Sequence, residues 1–258
     1  MHSKLPAQEV CIQIQETILR LIQVHFITAY FSYIEIAGAY LGAGYYSSLR
    51  FIRVGIYLKG DTMINRKSTI TRNTKETQIT MSFNLDGSGN ASVHTGIGFF
   101  DHMLNSFARH GFFDLEVTCK GDLEVDSHHT IEDVGIVLGQ AIKEALDKKE
   151  GIKRFGNFML PMDETLMLCA LDLSGRPYFV FDVSFTTPKI GDLDTEMIKE
   201  FFYAVSYGAE MNLHIKELSG GNNHHMAEAI FKAFGKALDE ATSMDERIQG
   251  VLSTKGSL

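Results

Sequence analysis

The chain has little cysteine, no excess of positive charge and no long uninterrupted apolar run. Its three cysteines, Cys11, Cys119 and Cys169, are odd in number, far apart and not in a CxxC pair. That argues against a disulfide framework and a thiolate zinc site. A reducing, cytoplasmic compartment is the expectation. Lys and Arg number 24 against 32 Asp and Glu, a net charge of -8. A nucleic-acid surface would want a basic face instead. The most apolar region, 21–49, is split by Glu35 and diluted by Gln23, His25 and several tyrosines. A membrane span needs ~20 apolar residues without such breaks. Neither a nucleic acid nor a membrane is an expected partner.

What is present suits a soluble globular protein. The 258 residues are 45% apolar and 22% charged, enough to bury a full core. Residues 1–62 read differently from the rest and lack a clean helical or strand period. A basic start and a small-residue cleavage site are missing, and Glu9, Glu16 and Glu35 argue against a transit peptide. Three readings stay open for this N-terminal extension: a non-native leader before a start at Met63, a poorly ordered extension or interaction tail, or a targeting element. Residues 63–258 form the expected catalytic domain.

From Arg66 onward the chain can be laid over itself. Glu76-Thr77 precedes alternating Ile79, Met81, Phe83 and Leu85 and a turn at Asp86-Gly87. Glu164-Thr165 precedes Met167, Cys169, Leu171 and Leu173 and a turn at Ser174-Gly175. Period-two apolar residues closed by Gly predict a strand leading into a hairpin. Asp101-His102-Met103-Leu104 opens a helical pattern, and Lys199-Glu200-Phe201-Phe202 opens its counterpart. Leu115 and Val117 match Leu213 and Ile215 in a further strand. His128-His129-Thr130-Ile131-Glu132 matches His224-His225-Met226-Ala227-Glu228, and Gly139 and Ala141 match Gly235 and Ala237. The expected fold is α+β, with two duplicated βββαβα halves of about 66–150 and 154–247, sheets outside and helices packed between them.

The twin HHxxE segments carry the chemistry. On a helix, residues i and i+4 share a face, so His128 and Glu132 can hold one metal, as can His224 and Glu228. His129 and His225 point roughly 100° away and can serve another metal. A single His-His pair more often marks a helix start. Two copies at matched repeat positions, each with Glu at i+4, favour metal. Imidazole with carboxylate and no thiolate fits a borderline-to-hard divalent ion; manganese suits it and zinc competes. His102 and its repeat counterpart Glu200 add a third contributor to each half. His110 closes its helix, where the dipole also favours histidine, and is weighed as a substrate contact.

Glu76-Thr77, Gly98-Phe99-Phe100-Asp101-His102-Met103-Leu104, both HHxxE segments, Ser174-Gly175-Arg176-Pro177 and Ser253-Thr254-Lys255-Gly256 together resemble the imidazoleglycerol-phosphate dehydratase family, in unbroken order from about Arg66 to Gly256. Nothing before Met63 does. The resemblance implies a lyase of histidine biosynthesis that converts imidazoleglycerol phosphate to imidazoleacetol phosphate through a dimetal-bound imidazolate. It implies two Mn2+ per active site, held by His102, His128, His129, Glu132, His224, His225 and Glu228, with Glu200 as a further ligand. It also implies ligands shared between neighbouring subunits and an assembly of 24 chains.

It assigns Glu76 as proton shuttle and Arg154, Arg176, Ser253 and Lys255 as phosphate cradle. The expected substrate contacts are Glu76, His102, His110, His128, Arg154, Arg176, His224, Ser253, Thr254, Lys255 and Gly256. Glu164, at the position equivalent to Glu76, is given no catalytic role. A His-rich two-metal phosphatase and a non-catalytic metal-binding cage are the rival readings.

Overall fold

The computed structural model describes residues 66–258. The readings of the N-terminal extension and its boundary at 62/63 fall outside the described residues.

The first repeat runs β1 (Lys67–Asn73), β2 (Thr77–Asn84), β3 (Ala91–His94), α1 (Gly98–Gly111), β4 (Asp114–Gly121) and α2 (His128–Leu146). The second runs β5 (Phe155–Met162), β6 (Thr165–Asp172), β7 (Tyr178–Asp182), α3 (Glu196–Gly208), β10 (Asn212–Ser219) and α4 (Asn223–Thr242), with a short hairpin of β8 (Lys189–Ile190) and β9 (Leu193–Asp194) inserted before α3. Each repeat is βββαβα apart from that insertion. The sheets have matching orders, β1-β2-β4-β3 and β5-β6-β10-β7. In both, the third strand lies parallel to the fourth and all other pairings are antiparallel.

One local expectation is corrected. The run ending at Asp86-Gly87 does not lead into a hairpin, because β4 lies between β2 and β3. The same holds after Ser174-Gly175, where β10 separates β6 from β7. The Asp114 carboxylate explains the first crossing: it accepts from the backbone N–H of Ser88 at 2.9 Å and of Asn90 at 3.1 Å. Those bonds bend the chain over the end of β4 instead of folding it back on β2.

Alternation decides which face of each sheet is dry. Thr77, Ile79, Met81 and Phe83 of β2 are buried, as are Thr165, Met167, Cys169 and Leu171 of β6. Those faces meet the helices, which form the layer between the sheets. The helices pack across the repeats, α1 on α4 and α3 on α2.

Glycines at equivalent positions permit the approach. A Cβ at Gly139 would lie 2.6 Å from the Val205 carbonyl oxygen, and one at Gly235 would lie 2.6 Å from that of Phe107. A methyl at either point would force the backbones apart. Phe100, Phe107, Phe201, Phe202, Phe231 and Phe234 fill the centre, all nearly inaccessible, with ring centroids 4.8–5.3 Å apart in their contacts. Because the rings come from three helices and both repeats, neither half closes its core alone. Among the described residues, no helix is long and apolar enough to cross a membrane.

Candidate metal centre and substrate site

His102 is the fifth residue of α1, and Glu200 is the fifth of α3. The helix begins one turn earlier than the Asp101 start expected, because Asp192 caps it from the β8–β9 hairpin. The Asp192 carboxylate accepts from the N–H groups of Gly98 at 2.6 Å and Phe99 at 3.0 Å. Burial would raise this carboxyl, but those two N–H donors hold it below the ordinary range. Asp101, also in the first turn, accepts from the Thr95 N–H at 2.9 Å and hydroxyl at 2.6 Å. Both contacts fix the helix start and so the place of His102.

At the other helix starts the twin histidines are set by caps. The Asn222 side chain accepts from the His224 N–H at 2.9 Å, and Asp126 does the same for His128 at 2.8 Å. Such caps satisfy N–H groups that the helix leaves unpaired.

Because α1 packs on α4, His102 meets the second HHxxE segment. His224 Nε2 lies 3.1 Å and His102 Nε2 3.6 Å from the same oxygen of Glu228. These three groups have ligating atoms within 4.8 Å of one another. His102 is 51% exposed, whereas the Glu228 side chain is only 11% exposed. Burial would raise the Glu228 carboxyl, but Lys232 at 2.7 Å, with His224, outweighs this and keeps it below its usual value. An ionised carboxylate at the base of two half-exposed imidazoles is a donor set for a divalent cation. Phe99 stacks edge-on against the His224 ring at 5.1 Å and limits its rotation.

The matching cluster is looser. His128 Nε2 lies 3.6 Å from Glu132. Glu200 is half-buried on α3, which packs on α2. Tyr203 has its phenol pKa raised by its hydrogen bond to Tyr207 and also by the nearby charges of Glu200 and Glu132. Glu200, Glu132 and His128 do not form a group closed to 4.8 Å.

His129 and His225 turn away from these clusters, as the helical period requires. His129 Nδ1 lies 3.0 Å from Asp122, and Glu76 lies 3.8 Å from its Nε2. The Asp122 contact, aided by Glu76, raises the His129 pKa. His225 Nδ1 lies 3.1 Å from Glu164, and Asp163 lies 3.8 Å from its Nε2. The Glu164 carboxyl is held down to about 2, first by the Asn222 N–H and also by its own N–H and His225. Thr77, next to Glu76, donates its hydroxyl to Asp133 of α2 at 2.5 Å, and Arg72 reaches the same carboxylate. The strand start is thus stapled to the helix while the Glu76 side chain stays half-exposed.

The phosphate-binding candidates gather elsewhere. Arg154 donates to Asp172 at 2.6 and 3.0 Å and to the Leu252 carbonyl at 2.7 Å. Arg154, Ser253 and Thr254 line one groove with Arg247. The C-terminal residue Leu258 lies against Gly175, which brings the tail holding Lys255 and Gly256 to the Arg176 turn. This region is at the far end of β6 and α4. The Arg154 N–H bonds the carbonyl of Ala241, whereas His224 is in the first turn of α4. Seventeen residues at 1.5 Å each separate these two points by about 25 Å. His110 is apart from both ends, with its Nδ1 2.9 Å from the Ser106 carbonyl oxygen.

Asp122, Asp192 and Arg247 were not anticipated, nor was the contact of Phe99 with His224. Asp122 and Asp192 act across 7 and 94 or 93 residues of sequence. Nothing in a local pattern marks such contacts.

The fold and site define a duplicated α+β protein with a histidine–carboxylate cluster at crossed helix starts. The model of the family "Imidazoleglycerol-phosphate dehydratase" matches residues 95–238. Imidazoleglycerol-phosphate dehydratase of Lachnoclostridium phytofermentans is 66% identical over 195 residues, which is 76% of this chain and 100% of the relative. That of Acetivibrio thermocellus is 60% identical over 195 residues, with the same coverage. The crystal structure of the Staphylococcus aureus enzyme matches with a TM-score of 0.64 at 40% identity, over 69% of this chain and 99% of that one. A Pyrococcus furiosus structure in complex with (S)-C348 matches with a TM-score of 0.64 at 40% identity, over 73% and 100%. The chain belongs to the imidazoleglycerol-phosphate dehydratase family, the hydro-lyases of histidine biosynthesis.

Proposed function

We propose that the chain dehydrates imidazoleglycerol phosphate to imidazoleacetol phosphate, with two Mn2+ per active site held by His102, His128, His129, Glu132, Glu200, His224, His225 and Glu228. The observation that carries this reading is the convergence of His102, His224 and Glu228 from opposite repeats. Its donor set, two imidazoles over an ionised carboxylate, fits such an ion. When bound, divalent cations lower the pKa of a coordinated imidazole and so favour its electron-rich form.

The protein's residues do the remaining work. Glu76, half-exposed beside the Nε2 of His129, removes the proton from the carbon adjacent to the one that loses the hydroxyl, so that the enol of the product forms. Arg176, Ser253, Thr254, Lys255 and Gly256 receive the phosphate, aided by the donors that Arg154 does not spend on Asp172 and Leu252. His102, His128 and His224 border the substrate ring, and His110 is the weakest of the proposed contacts.

The ~25 Å along α4 exceeds the length of a small phosphate ester. Metal ligands and cradle of one chain therefore serve different sites, and each site combines neighbouring chains. An assembly of 24 chains, cytoplasmic location and a catalytic domain of residues 63–258 belong to the same proposal. In its support, each of the two bacterial relatives is covered over its whole length by 195 residues of this chain.

Chelation followed by Mn2+ restoration tests the core of it. Formation of imidazoleacetol phosphate is expected to vanish and return. Release of inorganic phosphate from the same substrate would favour a hydrolase instead.

A further inference from the structure

The two repeats differ at the carboxylates beside the second histidine of each pair. Glu76 and Glu164 hold equivalent positions, each just before a buried threonine that opens a strand. They nevertheless approach different ring nitrogens. Glu164 lies on the Nδ1 side of His225 at 3.1 Å. It is fixed there by the Asn222 N–H at 2.7 Å and the Thr165 hydroxyl at 3.3 Å. In the first repeat Asp122 takes the Nδ1 side of His129, at 3.0 Å. Glu76 lies 3.8 Å from Nε2, and among the described residues its carboxylate accepts no hydrogen bond.

The junction sequences explain the difference. The junction between β4 and α2 opens with Asp122, whose N–H already bonds the Glu76 carbonyl at 3.1 Å. Its carboxylate is thereby placed at the His129 ring. Between β10 and α4 stands Gly220-Gly221-Asn222, with no carboxylate to offer. A Cβ on Gly221 would come within 2.6 Å of Glu164 Cγ. Glycine there leaves room for Glu164 to reach across.

We infer that Asp122 and Glu164 are positioning residues that hold the Nδ1–H of His129 and His225, leaving Nε2 as the metal-facing nitrogen, and that Asp122 thereby leaves Glu76 free for proton transfer. This rests on the proposed role of both histidines as ligands. A carboxylate can only accept, so the proton belongs on Nδ1. Such a bond fixes the tautomer and strengthens the opposite nitrogen as a donor to metal.

The test is Mn2+ titration of the full chain, read by electron paramagnetic resonance of the free ion, for the parent and for Asp122→Ala, Glu164→Ala, Glu164→Gln and Glu116→Ala. Asp122→Ala and Glu164→Ala are expected to weaken binding about 10- to 100-fold. Glu116→Ala, at an exposed position of β4, is expected to stay within about twofold of the parent, since it holds no ring. Glu164→Gln keeps an oxygen for both N–H donors and is expected to recover most of the loss. Parent-like binding by Glu164→Ala or Asp122→Ala overturns the inference. So does binding by Glu164→Gln as weak as that of Glu164→Ala, which would make Glu164 itself a ligand. A parent chain that takes up no Mn2+ overturns both this inference and the metal reading beneath it.

Discussion

The two ends of α4 are built on opposite electrostatic plans. At its start, His102, His224 and Glu228 crowd three ligating atoms within 4.8 Å of one another. Two half-exposed imidazoles there share one oxygen of a largely buried carboxylate. At its end, the Arg154 guanidinium is already paired with Asp172. The start concentrates donor atoms that want a cation. The end has already spent the charge of Arg154 inside the protein before any ligand arrives. An exposed cluster of ligands is poised for function at some cost in stability, whereas a half-buried ion pair mainly holds structure together. The sharpest expectation is that substitutions at the end of α4 change phosphate binding or folding without touching Mn2+ affinity.

Glu76→Gln should give the largest change. The amide keeps the shape but cannot take a proton, so turnover should fall by ~100-fold or more while Mn2+ affinity and melting temperature hold. Steady-state kinetics beside a metal titration checks this. Unchanged turnover removes Glu76 from the chemistry. Next comes Arg176→Ala, in the region at the C-terminal end of α4. Arg176 has one weak side-chain contact, to the Ser174 carbonyl oxygen at 3.3 Å, so its guanidinium is available to phosphate. Losing a charge-assisted contact should raise KM about 10- to 100-fold and leave Mn2+ affinity as it was. Parallel loss of both would point to misfolding and erase the contrast between the ends.

Arg154→Ala should behave differently from Arg176→Ala although both arginines belong to the proposed cradle. Its side chain is 13% exposed and that of Asp172 is 19% exposed. Removing it leaves that carboxylate without its partner, at a cost of about 1–3 kcal/mol in denaturant unfolding. Arg154→Lys should not repair the loss, since an ammonium cannot reproduce the two-point fork. Wild-type stability with a raised KM would mean that the internal pairing matters less than the phosphate.

The sequence alone carried the repeat, the strand faces and the i,i+4 pairing of His224 with Glu228, because each depends on spacing within one element. It also identified His102 as a partner, through its repeat relation to Glu200. It did not carry the reach of Asp122 to His129, nor that of Asp192 to the start of α1. Those contacts depend on how loops fall across elements, which no periodicity encodes. The distance between metal ligands and phosphate cradle was equally hidden. His224 and Arg176 stand together among the expected substrate contacts, yet strand order sends them to opposite ends of β6 and α4. The expected hairpin after Asp86-Gly87 failed for a related reason. An apolar run and a turn specify that a strand ends, but not which strand lies beside it.

The smallest expected effect is at Arg247, in the groove with Arg154, Ser253 and Thr254. Its guanidinium forks onto Asp245, with Nε 2.8 Å from Oδ1. That hydrogen bond, with the Arg247 N–H, holds the Asp245 carboxyl well below its usual range. A folded-state pKa below the unfolded one gives stability that is complete above the ordinary carboxylate value and is lost as pH falls toward the folded value. The melting temperatures of the wild type and Arg247→Ala should therefore differ slightly at about pH 6 and converge toward about pH 2. Added salt should shrink the difference too, because the guanidinium is exposed. KM for the phosphate substrate should move less than for Arg176→Ala, since Arg247 already serves Asp245. A larger KM change than that of Arg176→Ala would transfer the main phosphate contact to Arg247. The C-terminal end of α4 would then be poised for its ligand in the same way as the N-terminal end.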